Sequence, residues 1–279
     1  MNRYERDCAR PAVVARSFHV SRSTLYYHPL PGPARRLRTD ELRVRAMVRG
    51  VATENATFGY RRVWAQLRRR QRILISRKRV RRILKEEGLQ REVHFPRQRL
   101  PLTGSQAAES PNVRWFSDIT YLEITDMGLV GLTVVEDACT REILAWSLLP
   151  SCGAADVSQV LEDAVLRRFP ETGKAGGVTL HTDGGAQFTS NHYREKARQL
   201  GIHLEANRKR RPEDGGLIES FNGHWKADYA WKQEPTTFQE TRELTKGWIA
   251  DYNENRPHSS LSYMTPKEYY ESKIKEGLK

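Results

Sequence analysis

The chain has 279 residues, and 47 lysines and arginines against 34 aspartates and glutamates leave it a formal charge of +13. No apolar run approaches the ~20 residues that span a bilayer, and the N-terminus lacks the apolar stretch of a secretory leader. Three widely spaced cysteines without a CxxC argue against a disulfide framework or a cysteine-rich zinc site, and for a reducing cytosol. The charge is uneven: residues 1–100 carry 26 Lys/Arg against 8 Asp/Glu, and the remainder 21 against 26. Such asymmetry points to a polyanion-binding arm joined to a body with another task.

In chain order, residues 1–30 read as a partial helix-turn-helix, with Val13, Val14 and Phe18 on one face and Ser21 placed to cap the next turn. His28–Pro33 breaks it. Residues 31–92 read as a basic helical DNA-binding domain. A helix is expected over about 39–52. Tyr60, Val63, Trp64 and Leu67 recur at i, i+3, i+4 and i+7 in a second. Ser76 caps a third over Arg77–Glu87, which Gly88 stops. Lysine and arginine crowd residues 68–82 with no acid among them. That density suits a basic helix in a DNA groove with arginines on phosphates, and Arg61, Arg62, Arg69, Arg77, Arg79 and Arg82 are the candidate contacts.

A Pro-punctuated linker is expected over 93–112, then a different pattern over 113–275. Trp115–Ile124, Leu129–Asp137 and Ile143–Leu149 read as an antiparallel meander. Helix (155–169), strand (178–181), helix (191–200), strand (202–205) and helices at about 216–231 and 238–252 follow. The fold class expected is α/β, a mixed sheet flanked by helices.

Three acids stand out by context. Asp118 lies among aromatics in the first β run, where a carboxylate is costly unless paired or metal-bound. Asp183 sits where a strand ends in Gly184-Gly185, and Glu219 near the start of a helix, with 35 residues between the two.

These pieces resemble the DDE transposases and retroviral-type integrases, and within them the insertion-sequence-three transposases. The resemblance runs over roughly residues 40–270. It is carried by Phe58–Val63; Trp115 with Asp118–Tyr121; His181–Gly185 with Gln187–Ser190; Pro212–Gly216 with Glu219–Phe221; and Tyr252–His258 with Leu261 and Pro266. The chain departs from the family at Asp214-Gly215-Gly216, where Asp-Asn-Ala is common, and at the unusually basic Asn207–Arg211.

The resemblance implies an RNase H-like catalytic core with Asp118, Asp183 and Glu219 as catalytic residues and metal ligands. Hard oxygen donors suit Mg²⁺ or Mn²⁺. Two such ions would serve an in-line attack on phosphorus, with Asp118 bridging both and Asp183 and Glu219 each holding one. Water would attack for cleavage, and a DNA 3′-hydroxyl for strand transfer. Double-stranded DNA, as element ends and target, is the implied partner. Paired ends imply a dimer or higher oligomer, and an upstream helix-turn-helix product, fused or separate, is a further implied partner. The implied location is the bacterial cytoplasm at the nucleoid.

Secondary candidates are Lys226, two turns beyond Glu219 and in reach of a phosphate; His181, on the sheet face of Asp183 behind the ligands; and Asn222, one turn from Glu219 and placed to orient it. Arg256 and His258 are candidate DNA contacts. Asp137 reads as a turn residue, and Trp225, Trp231 and Trp248 as core. The competing readings are a nuclease of the same fold and a domesticated DNA-binding protein.

Overall fold

The computed structural model describes residues 15–17, 19, 21, 39–90, 108–206, 216–230 and 236–277. The partial helix-turn-helix at 1–30, most of the linker, the basic segment 207–211, Asp214 and Trp231 lie largely or wholly outside them. The chain forms two compact units, Met1–Met47 and Val48–Lys279.

Three helices come first: α1 (Thr39–Glu54), α2 (Tyr60–Arg69) and α3 (Arg77–Glu86). The apolar spacing read from the sequence is their buried face, with Val63 and Leu67 of α2 against Val80, Ile83 and Leu84 of α3. Ser76 caps α3, its Oγ accepting from the Arg79 N–H at 3.3 Å.

The larger part is a five-stranded sheet. Its strands are β1 (Arg114–Ile124), β2 (Gly128–Asp137), β3 (Ile143–Leu149), β4 (Val178–Thr182) and β5 (Ile202–Ala206), in the order β3-β2-β1-β4-β5. The first three form the expected antiparallel meander; β4 joins β1, and β5 joins β4, in parallel. Parallel neighbours need crossovers, which α4 (Ala154–Arg168) and the pair α5 (Ala186–Thr189) and α6 (Asn191–Gln199) supply. Gly201 turns α6 into β5 at φ +73, where a Cβ would come within 2.8 Å of the Ala175 carbonyl oxygen.

Alternation along β1 divides the core. Trp115 faces the layer of α4 and α6, packing with Val157, Leu161, Val165 and Tyr193. Phe116 faces the opposite layer, α7 (Gly216–Trp225) and α8 (Phe238–Glu254), packing with Ile218, Phe221, Trp225, Ile249 and Tyr252. Trp225 and Trp248 are thus core residues, as expected. A 3-10 turn (Ser259–Leu261) and α9 (Pro266–Gly277) follow. No helix among the described residues is long and apolar enough to cross a membrane.

One departure bears on the site. The helix expected over 216–231 is α-helical only to Trp225 and continues as a π-helix over Lys226–Ala230. Lys226, two turns beyond Glu219, is the first residue of this π turn.

Candidate active site

The parallel register between β1 and β4 places the first two acids. Phe116 lies beside His181 and Ser117 beside Thr182, so the next step sets Asp118 beside Asp183, just past the paired residues. Side chains at matched positions share a sheet face. Phe116 and His181 show which face, their rings 5.2 Å apart on the α7 side. α7 brings Glu219 over this edge in its first turn.

The electrostatics agree with this placement. Burial first, then the charges of Asp183 and Glu219, push the Asp118 carboxyl up to about 6, against the opposing hydrogen bonds from the Ile119 N–H and Asn222. Among the described residues, no group of three or more His, Cys, Asp or Glu side chains is gathered closely enough to hold a metal ion. Asp118 therefore senses both other acids, although the three are not gathered to ligand distance.

Local chemistry fixes each member differently. Asp183, exposed, accepts from the Gly185 N–H at 3.1 Å. A Cβ on Gly185 would stand 2.9 Å from both Asp183 Oδ1 and Gln187 Oε1, so at an ordinary φ of −58 any larger residue must displace these side-chain ends. Asn222 is buried and its Nδ2 donates to Asp118 Oδ2 at 2.7 Å. It thus holds Asp118 across the helix–sheet gap instead of orienting Glu219. His181 stands behind the acids, its Nε2 3.4 Å from Glu205 Oε2.

Asp137 has the turn role expected of it. Buried at the end of β2, its Oδ1 accepts from the Cys139 and Thr140 N–H groups at 3.0 and 2.8 Å, and its Oδ2 from Trp115 Nε1 at 3.1 Å.

Two expected DNA contacts are corrected by their burial. Arg256 is 1% exposed and its guanidinium donates to buried Asp228. His258 is buried with its ring 4.7 Å from that of Tyr252. Burial, then the charges of Arg256, Arg62 and Arg141, hold the His258 imidazole well below its usual range and so neutral. Neither faces a polyanion.

The arginines of α2 and α3 also divide. Arg69 reaches Glu268 at 3.6 Å and the Ser262 carbonyl at 3.4 Å, and Arg82 pairs with Glu86 at 3.2 Å. Arg62 is half-buried over the Phe58 ring, 6.0 Å from its centroid. Arg79 is half-buried, whereas Arg61 and Arg77 are exposed.

Residues 108–212 and 200–266 match family models described as "Integrase core domain", and residues 38–97 one described as "HTH-like domain". The chain is 32% identical over 280 positions to the Escherichia coli protein "Transposase InsD for insertion element IS2A/D/F/H/I/K", covering 96% of this chain and 93% of the relative. It is also 32% identical to the E. coli K12 protein "Transposase InsD for insertion element IS2-9", covering 96% and 91%. Among solved structures, a simian T-cell lymphotropic virus intasome in complex with a PP2A regulatory subunit is similar at a TM-score of 0.49 and 16% identity, over 74% of this chain and 73% of that one.

Proposed function

The chain belongs to the family of the insertion-element transposases, enzymes of DNA strand cleavage and integration, and from that premise we propose that Asp118, Asp183 and Glu219 are its catalytic metal-binding triad. The observation that carries the reading is the meeting of Asp118 with Asp183 and Glu219 at one edge of the sheet, where burial first and then the two neighbouring charges raise the pKa of Asp118. Like charges gathered around a half-buried carboxylate, with no offsetting cation among the described residues, are unfavourable in the protein alone and support a site built for a cation.

The donor set fits a hard divalent ion. All three ligands are carboxylates, which suits Mg²⁺ or Mn²⁺ over zinc. When bound, two such ions supply Lewis-acid stabilisation of the attacking and leaving oxygens of an in-line phosphoryl transfer. The chain's own residues hold this arrangement. Asn222 fixes the Asp118 carboxylate through Oδ2, the Gly185 N–H fixes Asp183, and α7 delivers Glu219 from the opposite layer. His181 and Glu205 support the sheet edge behind them.

Duplex DNA is the substrate: element ends to be cut, and target DNA to be joined. Two ends must be held together, so the working species is a dimer or higher assembly. The cationic helices α2 and α3 and the basic N-terminal third supply the electrostatic grip.

The test uses an oligonucleotide duplex carrying a matched element end, incubated with Mg²⁺ or Mn²⁺. Wild type is expected to give cleaved and joined products, and Asp183→Asn and Glu219→Gln to lose both by on the order of 10³-fold. Cleavage without joining would move the reading to a nuclease of this fold. Wild-type levels in both variants would remove the triad.

A further inference from the structure

Most arginines of the larger unit whose contacts are resolved are spoken for by an acid: Arg49 by Glu87, Arg69 by Glu268, Arg141 by Glu136, Arg167 and Arg168 by Glu142, Arg198 by Glu195, Arg256 by Asp228. A cluster at the junction of α2, α3 and the segment after the 3-10 turn is different. The Arg77 guanidinium lies 4.3 Å from the Trp64 ring centroid and 5.2 Å from that of Tyr263. Arg81 lies 5.8 Å from the Tyr60 centroid, and Arg61 donates to the Tyr60 hydroxyl at 3.2 Å. Among the described residues, no carboxylate pairs with Arg61, Arg77 or Arg81, and all three are exposed.

The rings are themselves held in place. Trp64 Nε1 donates to the Ile75 carbonyl at 2.9 Å, and its ring meets Tyr263 edge-on at 5.4 Å. Tyr263 reaches it only because Ser262 and Tyr263 both adopt left-handed backbone, at φ +53 and +62, with the Tyr263 N–H returning to the His258 carbonyl at 2.8 Å. Two successive non-glycine residues in that region are strained. Both residues lie in the segment Asn255–Pro266, outside the acidic site. Asn255 anchors this end to α2, accepting from Gln66 Nε2 at 3.0 Å.

We infer that Tyr60, Trp64 and Tyr263 hold the Arg61, Arg77 and Arg81 guanidiniums as a composite phosphate-backbone site for duplex DNA, shared between the helical module and the end of the catalytic core. Stacking on aromatic faces orders guanidiniums without neutralising them. Exposed cations left without acids are what a polyanion needs. Because the rings are already covered by guanidiniums, the site takes phosphates and not stacked bases. Because Tyr263 comes from the core, DNA gripped here is held in fixed relation to the acidic site. The inference rests on the reading that the protein acts on duplex DNA.

The test is fluorescence-anisotropy titration of full-length protein with a labelled duplex in EDTA, where no metal-dependent cutting intervenes, over a range of salt. Arg77→Ala and Arg81→Ala are each expected to weaken binding about five- to tenfold and to lower the slope of log K against log salt by about one, as loss of one phosphate contact does. Tyr263→Leu should weaken binding several-fold by releasing Arg77, whereas Tyr263→Phe should bind as wild type, since the ring and not the hydroxyl orders the guanidinium. Arg198→Ala, on α6, should change nothing. Wild-type affinity and slope in an Arg77→Ala/Arg81→Ala double variant would overturn the proposal, as would Tyr263→Phe binding as weakly as Tyr263→Leu. Wild-type protein that binds with these dependences yet never cuts or joins would leave this site standing and overturn the catalytic reading instead.

Discussion

Two carboxylates on the α7–α8 side of the sheet, Asp118 and Asp228, are treated in opposite ways. Asp228 is 4% exposed and matched by an equally buried guanidinium from Arg256. Among the described residues no cation offsets Asp118; its neighbours there are two more acids and a neutral amide. One site satisfies its charge inside the protein and contributes to a unique fold. The other leaves its charge to be satisfied from outside, which is the physical signature of a functional cluster. The arginines on Tyr60, Trp64 and Tyr263 are the cationic counterpart of the second kind.

The comparison breaks most visibly at the paired site. Arg256→Met leaves Asp228 buried and unmatched, and is expected to destabilise the protein by about 3–5 kcal/mol in denaturant unfolding. Arg256→Met/Asp228→Leu should recover much of that loss, because the penalty is the orphaned charge more than the missing attraction. A small effect in the single variant would show that the pair is solvated.

At the unmatched site the same kind of neutralisation should stabilise. Asp118 titrates higher in the folded protein than in the unfolded chain, so the stability linked to its proton is fully present below the unfolded pKa and is lost as pH rises through about 6. Asp118→Asn should therefore raise metal-free stability at pH 7 by about 1–2 kcal/mol, discounted for partial solvation, and change it little at pH 4. A variant less stable than wild type at pH 7 would contradict the account in which burial and the neighbouring acids destabilise the Asp118 charge.

Gly185→Ala sharpens the point at smaller cost. Its Cβ would meet Asp183 Oδ1 and Gln187 Oε1 at 2.9 Å, and exposed side chains can move aside. Stability should fall by about 1 kcal/mol or less, while strand cleavage falls much further because Asp183 is displaced. Equal losses in both measurements would make Gly185 merely structural.

The sequence carried this architecture unevenly. The three strands of the meander were legible because each is a β-rich run with a local turn. Asp183 and Glu219 were legible through the glycine turn and the spacing of a resembling family. The relation between Asp118 and Asp183 was not written locally, since it depends on parallel pairing of strands some sixty residues apart. Arg256 and His258 read as DNA contacts because nothing near Arg256 in sequence announces its partner; Asp228 lies 28 residues away, in a π-helix that periodicity does not show. Helical spacing ties Asn222 to Glu219, because spacing along α7 sees that acid and not the Asp118 strand beneath it. The arginines of α2 and α3 looked equivalent in sequence, and only tertiary pairing separates Arg69 from Arg77.

The most direct test of the triad is the effect of Mn²⁺ on thermal unfolding at neutral pH, in wild type and Asp118→Asn side by side. Without metal, Asp118→Asn should unfold at the higher temperature. Added Mn²⁺ should raise the wild-type midpoint in a concentration-dependent way by binding the folded state, and leave the variant nearly unmoved, closing or reversing the gap. Equal stabilisation of both proteins by Mn²⁺ would contradict a metal site built on Asp118.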